Sequence, residues 1–138
     1  MNFKLIIMKN TFVFLSLLCI VLSCSKNETT TTQNSNSTDS IRYVVNTTNA
    51  QNWSGYYLNE NNEKVNINNQ TTGWQVSFLN KAAKPRTLEI AATSKGINPT
   101  DSFTIETKIF ANGNFIGFYF IKGTGSKEET CTSKATLN

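Results

Sequence analysis

The sequence contains no histidine. That removes the usual general base near neutral pH and the commonest metal ligand. Of the three cysteines, Cys19 and Cys24 lie near the N-terminus, and only Cys131 lies beyond residue 40. A fold that rests on an intramolecular disulfide is therefore excluded. Cys131 is expected as a half-buried apolar side chain near the end of the last strand, with intermolecular pairing as the alternative. The two prolines, Pro85 and Pro99, fall between apolar runs, where a missing amide donor costs little. No apolar run reaches the ~20 residues that a membrane-crossing helix needs.

What is present begins at the N-terminus. Lys4 and Lys9 precede an apolar run from Thr11 to Leu22, which ends in Val21-Leu22-Ser23-Cys24. A basic opening, a short apolar stretch and a small residue before the cut are the parts of a secretory signal. The segment resembles a bacterial lipoprotein signal, and Val21-Leu22-Ser23-Cys24 resembles a lipobox. The expectation is that residues 1–23 are removed and that Cys24 carries acyl chains that hold the protein to a membrane. An ordinary secreted protein and a short N-terminal anchor are the alternatives. Removing residues 1–23 leaves 115 residues and takes away two lysines and no acid, so the mature chain carries 11 basic and 9 acidic residues. A balance so close to neutral argues against nucleic acid and against a strong electrostatic hold on anionic lipid.

Residues 24–40 hold the lipidated cysteine and a polar stretch without a single core-forming side chain. They are expected to be a disordered tether. Ser25, rather than Asp, after the cysteine favours outer-membrane sorting among lipoproteins. Ser25-Lys26-Asn27-Glu28 resembles the surface-export signals of Bacteroidota lipoproteins, and Asp39-Ser40-Ile41 resembles an O-glycosylation motif of such organisms. The expected location is the cell envelope, lipid-anchored at the outer membrane.

From Ile41 onward the apolar spacing is two. Ile41, Tyr43 and Val45 share one face, and the same step returns at Val65 and Ile67 and at Trp74, Val76 and Phe78. It recurs at Leu88, Ile90 and Ala92, and at Phe103, Ile105, Thr107 and Ile109. This is the period of half-buried strands. Asn59-Glu60-Asn61-Asn62 separates Trp53–Leu58 from Glu63–Asn68, and Asn112-Gly113 separates Phe103–Ala111 from Asn114–Lys122. Asn-Gly tolerates the positive φ of a two-residue hairpin turn. Gly123-Thr124-Gly125-Ser126 allows a reversal into a last strand over roughly Glu128–Leu137. About eight short strands in residues 41–138, with no room for crossover helices, predict an all-β fold. The expected form is a small immunoglobulin-like antiparallel β-sandwich.

Within this pattern, Tyr43-Val44-Val45, Tyr57-Leu58-Asn59, Gly73-Trp74-Gln75-Val76-Ser77-Phe78 and Leu88-Glu89-Ile90-Ala91-Ala92 recur in the order of a known domain. Thr107-Lys108-Ile109-Phe110-Ala111-Asn112-Gly113 is similar to its strand–turn signature. The domain resembles the MmpS-like family of small, membrane-tethered accessory β-sandwiches. The resemblance implies an envelope protein or transporter as partner, in the manner of family members that assist lipid export. It implies no catalytic residue and no cofactor. A lipid anchor in place of a spanning helix departs from the family and weakens the transport implication.

Two aromatic groups are candidate sites. Asn114–Ile121 is so apolar that alternation nearly fails there. In one reading Phe118 and Phe120 close the sandwich beside Ile105 and Ile109. In the other, Phe110, Phe115 and Tyr119 form an exposed patch for a protein or lipid partner. An edge strand of this composition also invites self-pairing into a weak homodimer. Trp53, Tyr56 and Tyr57 form the second group, suited to contact with a sugar or peptide. The neighbouring asparagines could serve a glycan or could simply form turns. No catalytic constellation emerges: Asp39 and Asp101 stand apart from any base, and Glu128 and Glu129 point to opposite sides of a strand. The readings carried forward are a non-catalytic, lipid-anchored binding or accessory domain of the envelope, a purely structural surface lipoprotein, and a carbohydrate-contacting module.

Overall fold

Alternating side chains along a strand force each strand of this chain to divide its residues between an interior and a surface. In the computed structural model, which describes residues 38–138, that division builds eight strands. They are β1 (Ser40–Thr48), β2 (Trp53–Leu58), β3 (Lys64–Gln70), β4 (Trp74–Leu79), β5 (Arg86–Ser94), β6 (Ser102–Ala111), β7 (Asn114–Thr124) and β8 (Glu129–Leu137). The signal segment, Cys24 and the tether up to residue 37 lie outside the described residues. The strands form two antiparallel four-stranded sheets, ordered β4-β1-β6-β7 and β3-β2-β5-β8. Among the described residues no helix is long and apolar enough to cross a membrane.

The chain path repeats itself. β1 lies in the first sheet, β2 and β3 form a hairpin in the second, and β4 returns beside β1. β5 lies in the second sheet, β6 and β7 form a hairpin in the first, and β8 returns beside β5. Shifting each strand number by four, with the count wrapping at eight, therefore converts one sheet's order into the other's, read in reverse. The two halves meet at an isolated bridge between Ala50 and Gly96. Reciprocal hydrogen bonds flank it, from Gln51 N–H to the Lys95 carbonyl at 2.8 Å and from Ile97 N–H to the Asn49 carbonyl at 3.1 Å.

The interior is thick on one side and thin on the other. On the β3 and β4 side it is filled by rings. Trp53 is fully buried, meets Trp74 edge-on with centroids 5.3 Å apart, and donates its indole N–H to the Thr71 carbonyl at 3.1 Å. Tyr57 meets Trp74 at a tilt and stacks on Phe78, and Tyr43 tilts against both Tyr57 and Phe78. On the β7 and β8 side the interior narrows to Gly117, Gly123, Thr107, Cys131 and Ser133, all buried. Between these sides lie Ile41, Leu88, Ile90, Ile105 and Ile109, each fully buried. Each such side chain contributes roughly 1.5–3 kcal/mol to folding.

Cys131 departs from its expected place. It is fully buried, sits third in β8, near the strand's start, and its thiol donates to the Tyr119 carbonyl at 3.4 Å. Burial of this depth also removes it from intermolecular pairing.

The folded part begins slightly before the expected boundary at residue 41. Asp39 is buried and ion-paired with Lys84, and Ser40 opens β1. Asn112, at the tip of the β6–β7 hairpin, ties this entry point down. Its side-chain amide donates to Asp39 Oδ1 at 2.7 Å, and its Oδ1 accepts the Ser40 N–H at 2.9 Å. Its own N–H donates to the Ser40 carbonyl at 2.8 Å.

Candidate functional site

The register of β7 on β6 decides which aromatic side chains reach the surface. Ile109, Thr107, Ile105 and Phe103 point inward, and their partners on β7 are Gly117, Tyr119, Ile121 and Gly123. The alternate partners, Phe118 opposite Lys108 and Phe120 opposite Glu106, therefore point outward. A register shift between Ile109 and Phe110 puts Phe115 opposite Phe110, on the same outer face.

Two inward positions of β7, Gly117 and Gly123, have no room for rings. A side chain at Gly123 would begin 2.2 Å from the Phe103 ring. One at Gly117 would begin 3.2 Å from the Ala135 side chain. The Phe103 ring of the neighbouring strand β6 covers Gly123, and Ala135 of the other sheet approaches Gly117, so the phenylalanines are placed outside. This corrects the reading in which Phe118 and Phe120 close the core beside Ile105 and Ile109. Phe118 is 49% exposed and Phe120 is 48% exposed.

Phe110, Phe115 and Phe118 form a continuous row. Phe110 and Phe115 meet edge-on with centroids 5.6 Å apart, and Phe115 and Phe118 are 6.1 Å apart. Phe115 is 55% exposed. Tyr119 does not belong to this row. It sits opposite the inward-facing Thr107, on the other side of the strand, although at the open edge it is still 52% exposed. The expected trio of Phe110, Phe115 and Tyr119 is thus replaced by Phe110, Phe115, Phe118 and Phe120. Gly117 and Gly123, an even number of residues apart and so on one face of the strand, are the only trace of it in the sequence.

Charged groups border the row. The Arg42 guanidinium lies 4.3 Å from the centre of the Phe110 ring, a cation–π contact. Lys108 pairs with Glu106 at 2.6 Å. Glu106 also accepts from Asn46 at 2.8 Å. Burial raises the Glu106 carboxyl, but the bonds from Lys108 and Asn46 outweigh it and hold the group below its ordinary value. Lys122 is exposed at the far end, opposite Thr104.

Trp53, Tyr56 and Tyr57 do not share a surface, which corrects their grouping as one ligand-contacting set. Trp53 and Tyr57 point into the core, where Tyr57 packs on Tyr43, Trp74 and Phe78. Tyr56 points out of the second sheet. Its hydroxyl donates to Glu89 at 2.6 Å and the Lys64 ammonium sits 3.9 Å over its ring. Burial raises Glu89, but Tyr56 and Lys134 together lower it overall. Asparagines serve the turns, and Asn69 a left-handed position within β3. Asn49, Asn62, Asn69 and Asn112 all hold positive φ, and Asn59 Oδ1 accepts the N–H groups of Asn61 and Glu63.

Apart from Arg86, which burial lowers, the shifted titratable groups move away from neutrality. Burial pushes the Cys131 thiol up, away from the reactive thiolate. Hydrogen bonds from Lys84 and Asn112 hold the Asp39 carboxyl down. Burial carries the Tyr43 phenol up to about 12. Among the described residues no three His, Cys, Asp or Glu side chains converge as a metal site requires.

Comparison with known proteins adds no identity to this geometry: no family model matches the chain, and no curated protein does either.

Proposed function

We propose that this chain is a non-catalytic, lipid-anchored domain of a bacterial cell envelope that works through the outward face of β6 and β7. One observation carries the reading: a row of phenylalanines lies on the outer surface of β6 and β7, and two of the inward positions of β7, 117 and 123, are glycines. Large rings in water are costly, and a contiguous apolar patch on a small domain marks a contact surface. The signal-like N-terminus and Cys24 support placement at a membrane. The shifts of Cys131, Asp39, Glu89 and Glu106 away from neutrality support a binding rather than a catalytic role. The resemblance to MmpS-like domains supports an accessory role beside an envelope system, and the reading does not depend on it.

The test uses the full chain expressed in a bacterial host. Mass spectrometry of the membrane fraction should find an N-terminal acylated Cys24, and Cys24→Ser should move the protein to the soluble fraction. Recovery of residues 1–23 on the mature protein would sink the anchored reading.

A further inference from the structure

We infer that the outward face of β6 and β7 lies flat against a phospholipid bilayer with anionic headgroups, Phe115 and Phe118 entering the headgroup–acyl boundary. The inference rests on the proposed anchor for proximity, while the chemistry of the face stands without it.

The first argument is where the chain enters the domain. Asp39 and Ser40 are fastened to Asn112, at the tip of the β6–β7 hairpin. Phe110 precedes that tip by two residues and Phe115 follows it by three. The polypeptide coming from Cys24 therefore arrives beside the aromatic row. Cys24 and Thr38 are 14 residues apart, which limits their separation to about 50 Å even at full extension. Confinement on that scale turns a weak surface affinity into a populated contact.

The second argument is composition. Aromatic rings with flanking Lys and Arg suit the interface between headgroups and acyl chains. The outward charges of this sheet are Arg42, Lys108 and Lys122 against Glu106. Lys108 and Glu106 satisfy each other, which leaves Arg42 and Lys122 for anionic headgroups. The outward face of the other sheet offers no such surface. There Tyr56 is enclosed by Lys64 and Glu89, and Lys134 pairs with Glu89 at 3.2 Å.

The third argument separates the bilayer from a second copy joined edge to edge. β7 ends its sheet, but the Tyr119 carbonyl, at the middle of that edge, is already taken by the Cys131 thiol. One acceptor that a pairing strand would need is therefore occupied from β8.

The experiment uses the chain from Cys24 onward, with Cys24→Ser to remove the anchor and Phe118→Trp as a reporter. Phe120→Trp serves as a second reporter should the first perturb the fold by circular dichroism. Vesicles of phosphatidylglycerol and brominated phosphatidylcholine are the probe. The reporter should lose roughly half its emission, as a ring held about 5–10 Å below the boundary would. Phosphatidylcholine-only vesicles, added salt, and R42Q/K122Q should each weaken the loss. Quenching no greater than that of the chain without the reporter overturns the inference. So does a concentration-dependent dimer by sedimentation velocity that Phe115→Ser abolishes, since the face would then belong to a second copy. The state of Cys24 is read separately by mass. Quenching with an unmodified Cys24 sinks the anchor alone, and an acylated Cys24 without quenching sinks the bilayer contact alone.

Discussion

Thr107 on β6 and Ser133 on β8 meet hydroxyl to hydroxyl at 2.7 Å across the interior, both buried. Ser133 gives its proton to the Thr107 carbonyl at 2.9 Å, so the Thr107 hydroxyl must be the donor in the pair. This polar pin joins the two sheets where they are too close for large side chains. Ser133→Ala leaves the Thr107 donor only the weak Cys131 sulfur at 3.4 Å and should cost about 1–3 kcal/mol. Thr107→Val should cost somewhat less, because Ser133 keeps its carbonyl. The double variant should fall short of the sum by at least about 1 kcal/mol, since no buried hydroxyl remains. Urea unfolding of the four proteins measures this, and strict additivity would show that the pair is not coupled.

Gly123 tests why the phenylalanines face outward. Gly123→Ala places a methyl against the Phe103 ring and should destabilise by about 1–3 kcal/mol. Gly113→Ala meets nothing within 4 Å, so its only penalty comes from φ +79° and should be about 1 kcal/mol. Thermal melts of the two variants give the comparison. An equal loss in both would mean that the Phe103 ring can move aside to admit the methyl, and the packing account of β7 would fail.

Much of this architecture was legible because its signals are local. Period two selected the inward sets at Ile41, Tyr43 and Val45, at Trp74, Val76 and Phe78, and along β6. Asn112-Gly113 marked its hairpin, and the two residues do hold φ of 52° and 79°. β7 was not legible. Its residues are apolar on both faces, and the choice between faces is made by the Phe103 ring, far away in sequence. Asp39 was lost for the same reason. It looks like one more polar linker residue, and its partner Asn112 is 73 residues away. Trp53 seemed free for a ligand because its indole acceptor, the Thr71 carbonyl, lies 18 residues on.

Ile90 and Ile105 face each other's sheets from the centre of the core, and neither is exposed at all. Truncating either to alanine should cost about 2–5 kcal/mol, the transfer loss plus a cavity that the flanking strands cannot fill. Phe118→Ser, by contrast, removes a ring that packs mainly on Phe115 and should change stability by no more than about 0.5 kcal/mol. Denaturant midpoints decide both. A large loss for Phe118→Ser would show that the ring supports the fold and is not there for contact.

The pH profile should have two limbs and a flat middle. Asp39, Glu89 and Glu106 all titrate below their ordinary values in the folded chain. The unfolded chain takes up those protons first, near pH 4, so their stabilisation is full above about pH 5 and lost as the pH falls through 4 and below. At the alkaline end the order reverses. Tyr43 holds its proton to about 12 in the fold because burial disfavours the phenolate, and its hydroxyl donates to the Leu58 carbonyl at 3.0 Å. The unfolded chain loses that proton near pH 10, so stability declines above pH 10 as the pH approaches the folded value. With no histidine in the chain, melting temperature should hardly move between pH 6 and 8. Scanning calorimetry from pH 3 to 11 checks all three regions. Absorbance at the phenolate band should show Tyr43 ionising together with unfolding. A fully ionised set of tyrosines in a still-folded protein would mean that water reaches Tyr43 and that the ring-filled side of the core is open.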